Sequence, residues 1–374
     1  MKTIRLGVLG YGFMGRTHSW GARSLPFFYR DLPFRLELAA VASPSEESRR
    51  LARQEGGFSL VTSDWREVVD NPAIDAVTVS TPNPLHREML LAAIERGKHI
   101  YADKPLTVTA DEAEEVVRAL QGRDLTHQMI FHNRFFPSAM RARELIDEGR
   151  IGEIIGFRGV YLHSGSINPE KPMGWKQRGA AGGGVLLDLG SHLVDMARWL
   201  LGDFDAVWGV GRVLFPDRPL PGGGREEVTA EDQCLLTVRL PGGAVGTLEA
   251  SKIATGVDDG LKLEIHGTRG ALILDLADAD SLLFFDESDP ERPLGGERGF
   301  QRIRTSQRYP APAQFPSFKN SAGWLRGHLH CLYSFADAVA AGRPATPSLH
   351  DGLAVQRILD AATRSFASGQ WEKV

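Results

Sequence analysis

The sequence predicts an α/β chain in two parts, a doubly wound parallel sheet followed by a second part richer in strands. Three observations carry this. The first apolar run, Ile4, Leu6, Val8 and Leu9, stops at Gly10 and enters Gly10-Tyr-Gly12-Phe13-Met14-Gly15. Strand and helix patterns then alternate to about residue 130, as a parallel sheet with crossover helices requires. Beyond that point short alternating strands joined by turns take over. A chain of 374 residues is too long for one small core, so two domains are expected, residues 1–130 and 131–374.

Composition narrows the function. Hydrophobic residues at 42% and charged residues at 24% are those of an ordinary globular protein. A net charge of -4 offers no basic field for a polyanion, which sets nucleic acid aside as the main partner. Cys234 and Cys331 are the two cysteines, without the spacing of a zinc site or disulfide framework, so no metal is expected and a reducing compartment fits. Met1-Lys-Thr-Ile-Arg runs straight into a strand without a signal-peptide pattern, and no apolar run reaches membrane length, so the cytoplasm is the expected location.

Each element then has its reason. In the glycine motif the first glycine permits a tight turn, the second lets backbone N–H groups approach a pyrophosphate, and the third lets the next helix pack on the strand. A second strand, Leu36 to Ala42, ends in Ser43-Pro44-Ser45 with no carboxylate to take ribose hydroxyls. Ser43 with Arg49 suits a 2′-phosphate, which favours NADP over NAD; alternatively Arg49 and Arg50 decorate a helix from Glu46 to Gln54. Ala76 to Ser80 is a buried strand, and Ser80-Thr81-Pro82-Asn83-Pro84-Leu85-His86 is the loop at its carboxyl end, where such sheets bind ligands. The amphipathic helix from Pro84 to Arg96 follows. His99 to Ala102 is a strand ending in Asp103-Lys104-Pro105, where a lysine can stabilise charge on a reacting oxygen or simply sit in a surface turn.

The second part opens with Phe131 to Pro137, including Arg134, and a helix ending at Gly149. Ile154 to His163 alternates as a strand. The polar loop from Ser164 to Gly179 carries Trp175, Lys176 and Arg178, an aromatic face beside cationic donors that suits a polyhydroxylated ring. Gly182-Gly-Gly-Val-Leu-Leu-Asp188-Leu-Gly-Ser-His192-Leu-Val-Asp195 places two carboxylates and an imidazole four and three positions apart. If helical, they share a face, and an imidazole beside a carboxylate is a general acid/base or a satisfied hydrogen-bond cluster. Strands follow at Ala206–Phe215, Gln233–Leu240, Ala244–Lys252, Leu261–His266 and Ala271–Leu276, with Pro241-Gly-Gly243 as a hairpin turn. Long loops are expected at Pro216–Asp232 and from Asp286 to about Gly323, one of them reaching an active site or a partner subunit. His328-Leu-His330-Cys331 lies in a helical pattern that points neighbours two apart to different faces, so it is not a metal cluster. His328 is a candidate to face substrate and Cys331 reads as core. A terminal helix spans Leu349 to Ser368.

Taken in order, Gly10-x-Gly12-x-x-Gly15, Ser80-Thr-Pro-Asn83, Asp103-Lys104-Pro105 and Gly182-Gly-Gly-x-x-x-Asp188-x-Gly-x-His192-x-x-Asp195 resemble the motifs of the Gfo/Idh/MocA family of NAD(P)-dependent oxidoreductases. The resemblance covers the whole chain. It implies a Rossmann domain, then an α/β domain with a large, mainly antiparallel sheet open on one face, through which members form homodimers or homotetramers; the C-terminal helix is expected to pack back on the Rossmann domain. It implies a catalytic set of Lys104, Asp188 and His192. It implies a cofactor site at Gly10, Gly12, Phe13, Met14, Gly15, Ser43, Arg49, Thr81, Pro82, Asn83, His86, Asp103 and Lys104. Arg134, His163, Trp175, Lys176, Arg178 and His192 are the residues expected to bind substrate. Asp103 departs from the family's usual Glu-Lys-Pro by one methylene. The expected activity is hydride transfer between a secondary alcohol of a sugar, sugar derivative or cyclitol and the nicotinamide. The rivals are a glycosidase that retains its cofactor through transient oxidation and elimination, and a non-catalytic nicotinamide sensor.

Overall fold

The computed structural model describes residues 1–374 and divides into two compact units. The first comprises Met1–Phe135, Tyr309–Ser317 and Gly323–Gln356, and the second Phe136–Arg308, Phe318–Ala322 and Arg357–Val374.

In the first unit six strands are all parallel: β1 (Lys2–Leu9), β2 (Phe34–Ala42), β3 (Leu60–Thr62), β4 (Ala76–Val79), β5 (His99–Ala102) and β6 (His127–Met129). Their order, β3-β2-β1-β4-β5-β6, reverses direction between β1 and β4, and the crevice beyond that switch point is where such sheets take ligands. Helices α1 (Phe13–Phe28), α2 (Glu46–Leu51), α3 (Trp65–Val69), α4 (His86–Glu95) and α5 (Ala110–Ala119) alternate with the strands. The core is built from Ile4 and Leu6 of β1, Leu25 and Tyr29 at the end of α1, and Leu329, Leu332 and Phe335, each at most 2% exposed.

The second unit is a mixed sheet of nine strands, in the order β16-β15-β14-β13-β7-β12-β11-β8-β17. In it lie β7 (Ile154–Leu162), β8 (Ala206–Arg212), β11 (Gln233–Arg239), β12 (Val245–Ser251), β13 (Gly260–Gly267), β14 (Gly270–Asp275), β15 (Ser281–Asp286), β16 (Gln301–Arg304) and β17 (Glu372–Lys373). Only β7 and β12 pair in parallel. Helices α6 (Pro137–Asp147) and α7 (Ser191–Leu201) belong to this unit. Under α7 the sheet face must be flat: a Cβ on Gly159 of β7 would lie 2.9 Å from Leu193 Cδ1. The other face is open, with Val210, Leu235 and Val245 each 45–47% exposed; Val210 and Leu235 are direct cross-strand partners.

Several boundaries differ from expectation for identifiable reasons. The helix expected from Glu46 to Gln54 is α-helical to Leu51 and continues as a π turn, Ala52–Gly56, before a left-handed Gly57. The loop expected at 216–232 contains a hairpin, β9 (Asp217–Pro219) with β10 (Arg225–Glu227), and the loop expected after Asp286 contains β16. Strands of three or four residues are too short to show a period. Two longer helices complete the chain, α8 (Trp324–Ala341) and α9 (Leu349–Ser368). No helix is long and apolar enough to cross a membrane.

Candidate active site

The three glycines of the first motif divide the tasks expected of them. Gly10 has φ +92°, a conformation that disfavours any side chain. A Cβ on Gly15 would lie 2.0 Å from the Gly10 carbonyl oxygen, whereas a Cβ on Gly12 would meet no atom within 4 Å. So α1 packs down tightly at Gly15 and leaves open space at Gly12. Gly12 is also the N-cap of α1 and no side chain caps it, so the first N–H groups of the helix are left for an anion. Phe13, beside them, is 72% exposed and stacks on Trp324 at 5.5 Å. This cradle fits the pyrophosphate of a dinucleotide.

The loop after β4 is braced against the loop after β5. His86 places one ring nitrogen 2.9 Å from the Thr81 carbonyl oxygen and the other 3.0 Å from that of Pro105. Asn83 is buried beside it. Asp103 Oδ1 accepts the Lys104 backbone N–H at 2.9 Å, and Oδ2 lies 3.7 Å from His18 Nε2. Burial opposes ionisation of Asp103, but His18, Lys104 and His86 outweigh it and hold its carboxyl below the usual range. The shortened carboxylate therefore reaches a partner on α1. Sequence reading missed His18; its signal was a histidine one turn past Gly15, on the helix face that must meet the strand ends.

At the end of β2, Arg49 Nη1 donates to the carbonyls of Ser43 at 2.7 Å and Pro44 at 2.8 Å, while Nε and Nη2 engage Glu46. Its donors are thus committed within its own loop. Ser45 caps α2 by accepting the Ser48 N–H. Arg134 is buried in the first unit, 3.4 Å from Asp351. His328 stacks on His132 with ring centroids 3.7 Å apart, while His330 Nδ1 lies 2.8 Å from the Tyr29 hydroxyl, so the two histidines of α8 face different partners, as their spacing predicts. Cys331 is fully buried, and burial pushes its thiol up to about 12.

In the second unit the Gly182-Gly-Gly184 run is sterically obligatory. Gly182 and Gly184 have φ +67° and +102°, and a Cβ on Gly183 would lie 2.5 Å from the Lys176 carbonyl oxygen. This pulls the loop bearing Trp175, Lys176 and Arg178 against the segment that carries Asp188. Asp188 itself lies in a π turn, Leu186–Gly190, that leads into α7; such turns recur at functional sites. His192 and Asp195 are buried on α7.

Asp188 Oδ2 receives two ammonium groups, Lys176 Nζ at 2.9 Å and Lys252 Nζ at 3.0 Å. Lys252 follows β12, is 6% exposed, and also donates to the Gly184 carbonyl at 3.2 Å. Glu231 Oε1 accepts the Leu186 N–H at 2.8 Å, and burial raises its pKa against the opposing pull of that N–H and of Lys252. Tyr161 of β7 sits with its ring 6.0 Å from that of His192; burial and the Asp259 carboxylate keep its phenol protonated. His163 Nδ1 accepts the Gly165 N–H at 2.9 Å, so the neutral ring carries its proton on Nε2 as a donor; burial and Lys252 lower its pKa. The Lys176 ammonium lies 5.7 Å from the Trp175 ring centroid, and Arg178 is held bidentately by Glu226 at 2.7 and 2.8 Å. Lys252, Tyr161, Asp259 and Glu231 were not anticipated, because each reads in the sequence as an ordinary strand or loop residue.

The unit thus gathers an ionisable pair, an imidazole donor, a phenol and an aromatic face, chemistry suited to grip hydroxyls and to move a proton. Comparison with known proteins agrees. Residues 4–131 match the NAD-binding Rossmann fold of the Gfo/Idh/MocA oxidoreductase family, and residues 143–374 match its C-terminal alpha/beta domain. The chain is 34% identical to levoglucosan dehydrogenase of Pseudarthrobacter phenanthrenivorans across 100% of this chain and 99% of the relative. It is 30% identical to scyllo-inositol 2-dehydrogenase (NAD(+)) of Bacillus subtilis across 72% and 73%. Among solved structures, levoglucosan dehydrogenase in complex with NADH and levoglucosan superposes with a TM-score of 0.94 at 34% identity, covering 100% of both chains. This chain is therefore a member of the Gfo/Idh/MocA family of NAD(P)-dependent oxidoreductases.

Proposed function

We propose that the chain is an NAD-dependent dehydrogenase oxidising a secondary alcohol of an uncharged sugar ring or cyclitol, with levoglucosan the first substrate to test. The observation that carries this is full-length similarity to an enzyme solved with NADH and levoglucosan. The uncharged substrate class follows that relative, since levoglucosan carries no ionisable group; here Lys176 and Lys252 share the Asp188 carboxylate and Arg178 pairs with Glu226. In this reading His192 accepts the hydroxyl proton, Asp188 orients the imidazole or binds the neighbouring hydroxyl, and Lys104 donates to the reacting oxygen and stabilises its developing charge. His163 donates from Nε2, and Trp175 offers its face to the ring. When bound, the nicotinamide supplies the hydride acceptor.

NAD is preferred here over the NADP that Ser43 and Arg49 suggested, because the Arg49 donors are spent on Ser43, Pro44 and Glu46. The exposed apolar residues of the open sheet face support a homo-oligomer built through it, and two buried free thiols suit the reducing cytoplasm.

The test is formation of reduced nicotinamide, with NAD and then NADP, from levoglucosan, myo-inositol, scyllo-inositol and glucose 6-phosphate. Turnover with an uncharged ring that is lost in Lys104→Ala is expected. In His192→Ala the loss should fall on turnover rather than on NADH affinity. Turnover only with the phosphate, or undiminished in Lys104→Ala, refutes the reading.

A further inference from the structure

We propose that Lys252 is a positioning residue for this reaction, the fixed counter-ion that holds Asp188 in place, while Lys176 is the exchangeable partner that a substrate hydroxyl displaces. The inference rests on the reading of Asp188 as part of the reactive set.

Both ammonium groups reach the same oxygen of Asp188, yet they are held differently. The Lys252 side chain is 8% exposed and that of Lys176 48%. The Lys252 backbone is pinned on both sides, its N–H donating to the Asp232 carbonyl at 2.8 Å and its own carbonyl accepting the Ser166 N–H at 2.9 Å. Its ammonium bridges Asp188 to the Gly184 carbonyl, so it ties the π turn to the glycine run before it. A buried ammonium is tolerable only beside a carboxylate. Asp188 is the carboxylate that meets this ammonium at ion-pair distance, 3.0 Å, and at Glu231 nearby burial opposes ionisation while Lys252 favours it. Removing Asp188 from Lys252 would strand a charge in the interior, so this contact does not exchange.

Lys176 stands on a short 3-10 turn, Trp175–Gln177. A half-exposed ion pair contributes little, because water screens it and side-chain entropy opposes it. Its ammonium can turn to a sugar oxygen at small cost, freeing one lone pair of Asp188 for a hydroxyl. Of the other groups near Asp188, the Tyr161 phenol is neutral, held protonated by burial and Asp259, burial with Lys252 lowers the pKa of His163, and the His192 imidazole on α7 is the group that Asp188 orients in this reading. The pair thus divides into a holder and a gate for substrate.

The test reads Asp188 directly, by carbon NMR of the full chain labelled at the aspartate carboxyl carbons, the signal being assigned with Asp188→Asn. In Lys252→Met the titration midpoint of Asp188 should rise by about 1–3 pH units, the usual effect of losing an adjacent opposite charge. Lys252→Arg should restore it, and Lys176→Ala should move it by less than about 0.5 unit because that charge is solvent-screened. With NAD and levoglucosan, Lys252→Met should lower kcat by about 10- to 100-fold, as misplacement of a reactive group does, while NADH affinity stays put; the loss in Lys176→Ala should fall chiefly on KM. An unmoved midpoint in Lys252→Met, or an equal rise in Lys176→Ala, overturns the assignment. Should Lys252→Met not fold, the Lys176→Ala titration decides, since a rise of a full unit there makes Lys176 the holder. Wild-type protein that turns over no sugar would instead refute the dehydrogenase reading, and leaves the NMR outcome to judge the clamp.

Discussion

A paired substitution in the glycine motif separates folding from cofactor binding. At Gly15 an added Cβ would stand 2.0 Å from the Gly10 carbonyl oxygen, more than 1 Å inside ordinary contact, and the clash is with backbone. Helix α1 must lift from the strand, at a cost near the top of the overpacking range, about 3 kcal/mol. That corresponds to a fall in Tm of about 6–12 °C for a cooperative unit of 150–250 residues. At Gly12 the added Cβ meets nothing within 4 Å, and its φ of -82° suits alanine. Gly12→Ala should leave Tm within about 4 °C, since such substitutions change stability by under about 1 kcal/mol. It does fill the space through which a pyrophosphate approaches the helix N-terminus. A steric cost of about 1–3 kcal/mol there weakens NADH binding roughly 5- to 150-fold. Differential scanning fluorimetry without ligand and titration of NADH fluorescence measure the two effects. Gly12→Ala that binds NADH like wild type would refute the placement of the cofactor at this turn, and Gly15→Ala that melts like wild type would refute the packing of α1 against Gly10.

Three further outcomes follow from particular contacts. Burial lowers the pKa of His127 to about 4 and of His132 and His330 to about 3, all in the first unit. Their folded values lie below the ordinary 6.5, so the stability they allow is present above pH 6.5 and is lost as the pH falls toward 4 and 3. Three rings together steepen that loss to about 4 kcal/mol per pH unit; a urea midpoint that does not move between pH 7 and pH 5 contradicts this. At the end of β2, wild type should bind NADH more tightly than NADPH, and Glu46→Gln, by releasing Arg49, should narrow the gap in calorimetric titration. A wild-type preference for NADPH that disappears in Arg49→Ala would instead make Arg49 a phosphate ligand. On the open sheet face, Leu235→Arg places charge beside Val210 and should dissociate the assembly in sedimentation velocity without lowering Tm; a wild-type chain that sediments as a monomer ends that proposal.

What could be read from the letters, and what could not, follows from how local the cause is. Gly10 and Gly15 were legible because each answers a steric demand set within the motif, and His192 and Asp195 share α7 because helical spacing is local too. The π turn was not, since one extra residue in a turn leaves no mark on a four-and-three spacing. Lys252 shows the limit most clearly. A lysine closing a strand reads as solvent-facing, and its burial arises from Gly184 and Asp188, more than sixty residues earlier in the chain. Arg49 differs the other way: its type and position suit a phosphate, and in the folded chain the helix-start carboxylate of Glu46, three residues before it, engages its Nε and Nη2. A cation's chemistry is set by which carboxylate reaches it first, and only the folded chain decides that. The sequence therefore shows the spacing of a polar cluster more readily than the counter-ions that meet it. For Asp188 the counter-ion decides whether the carboxylate is held or released when substrate arrives.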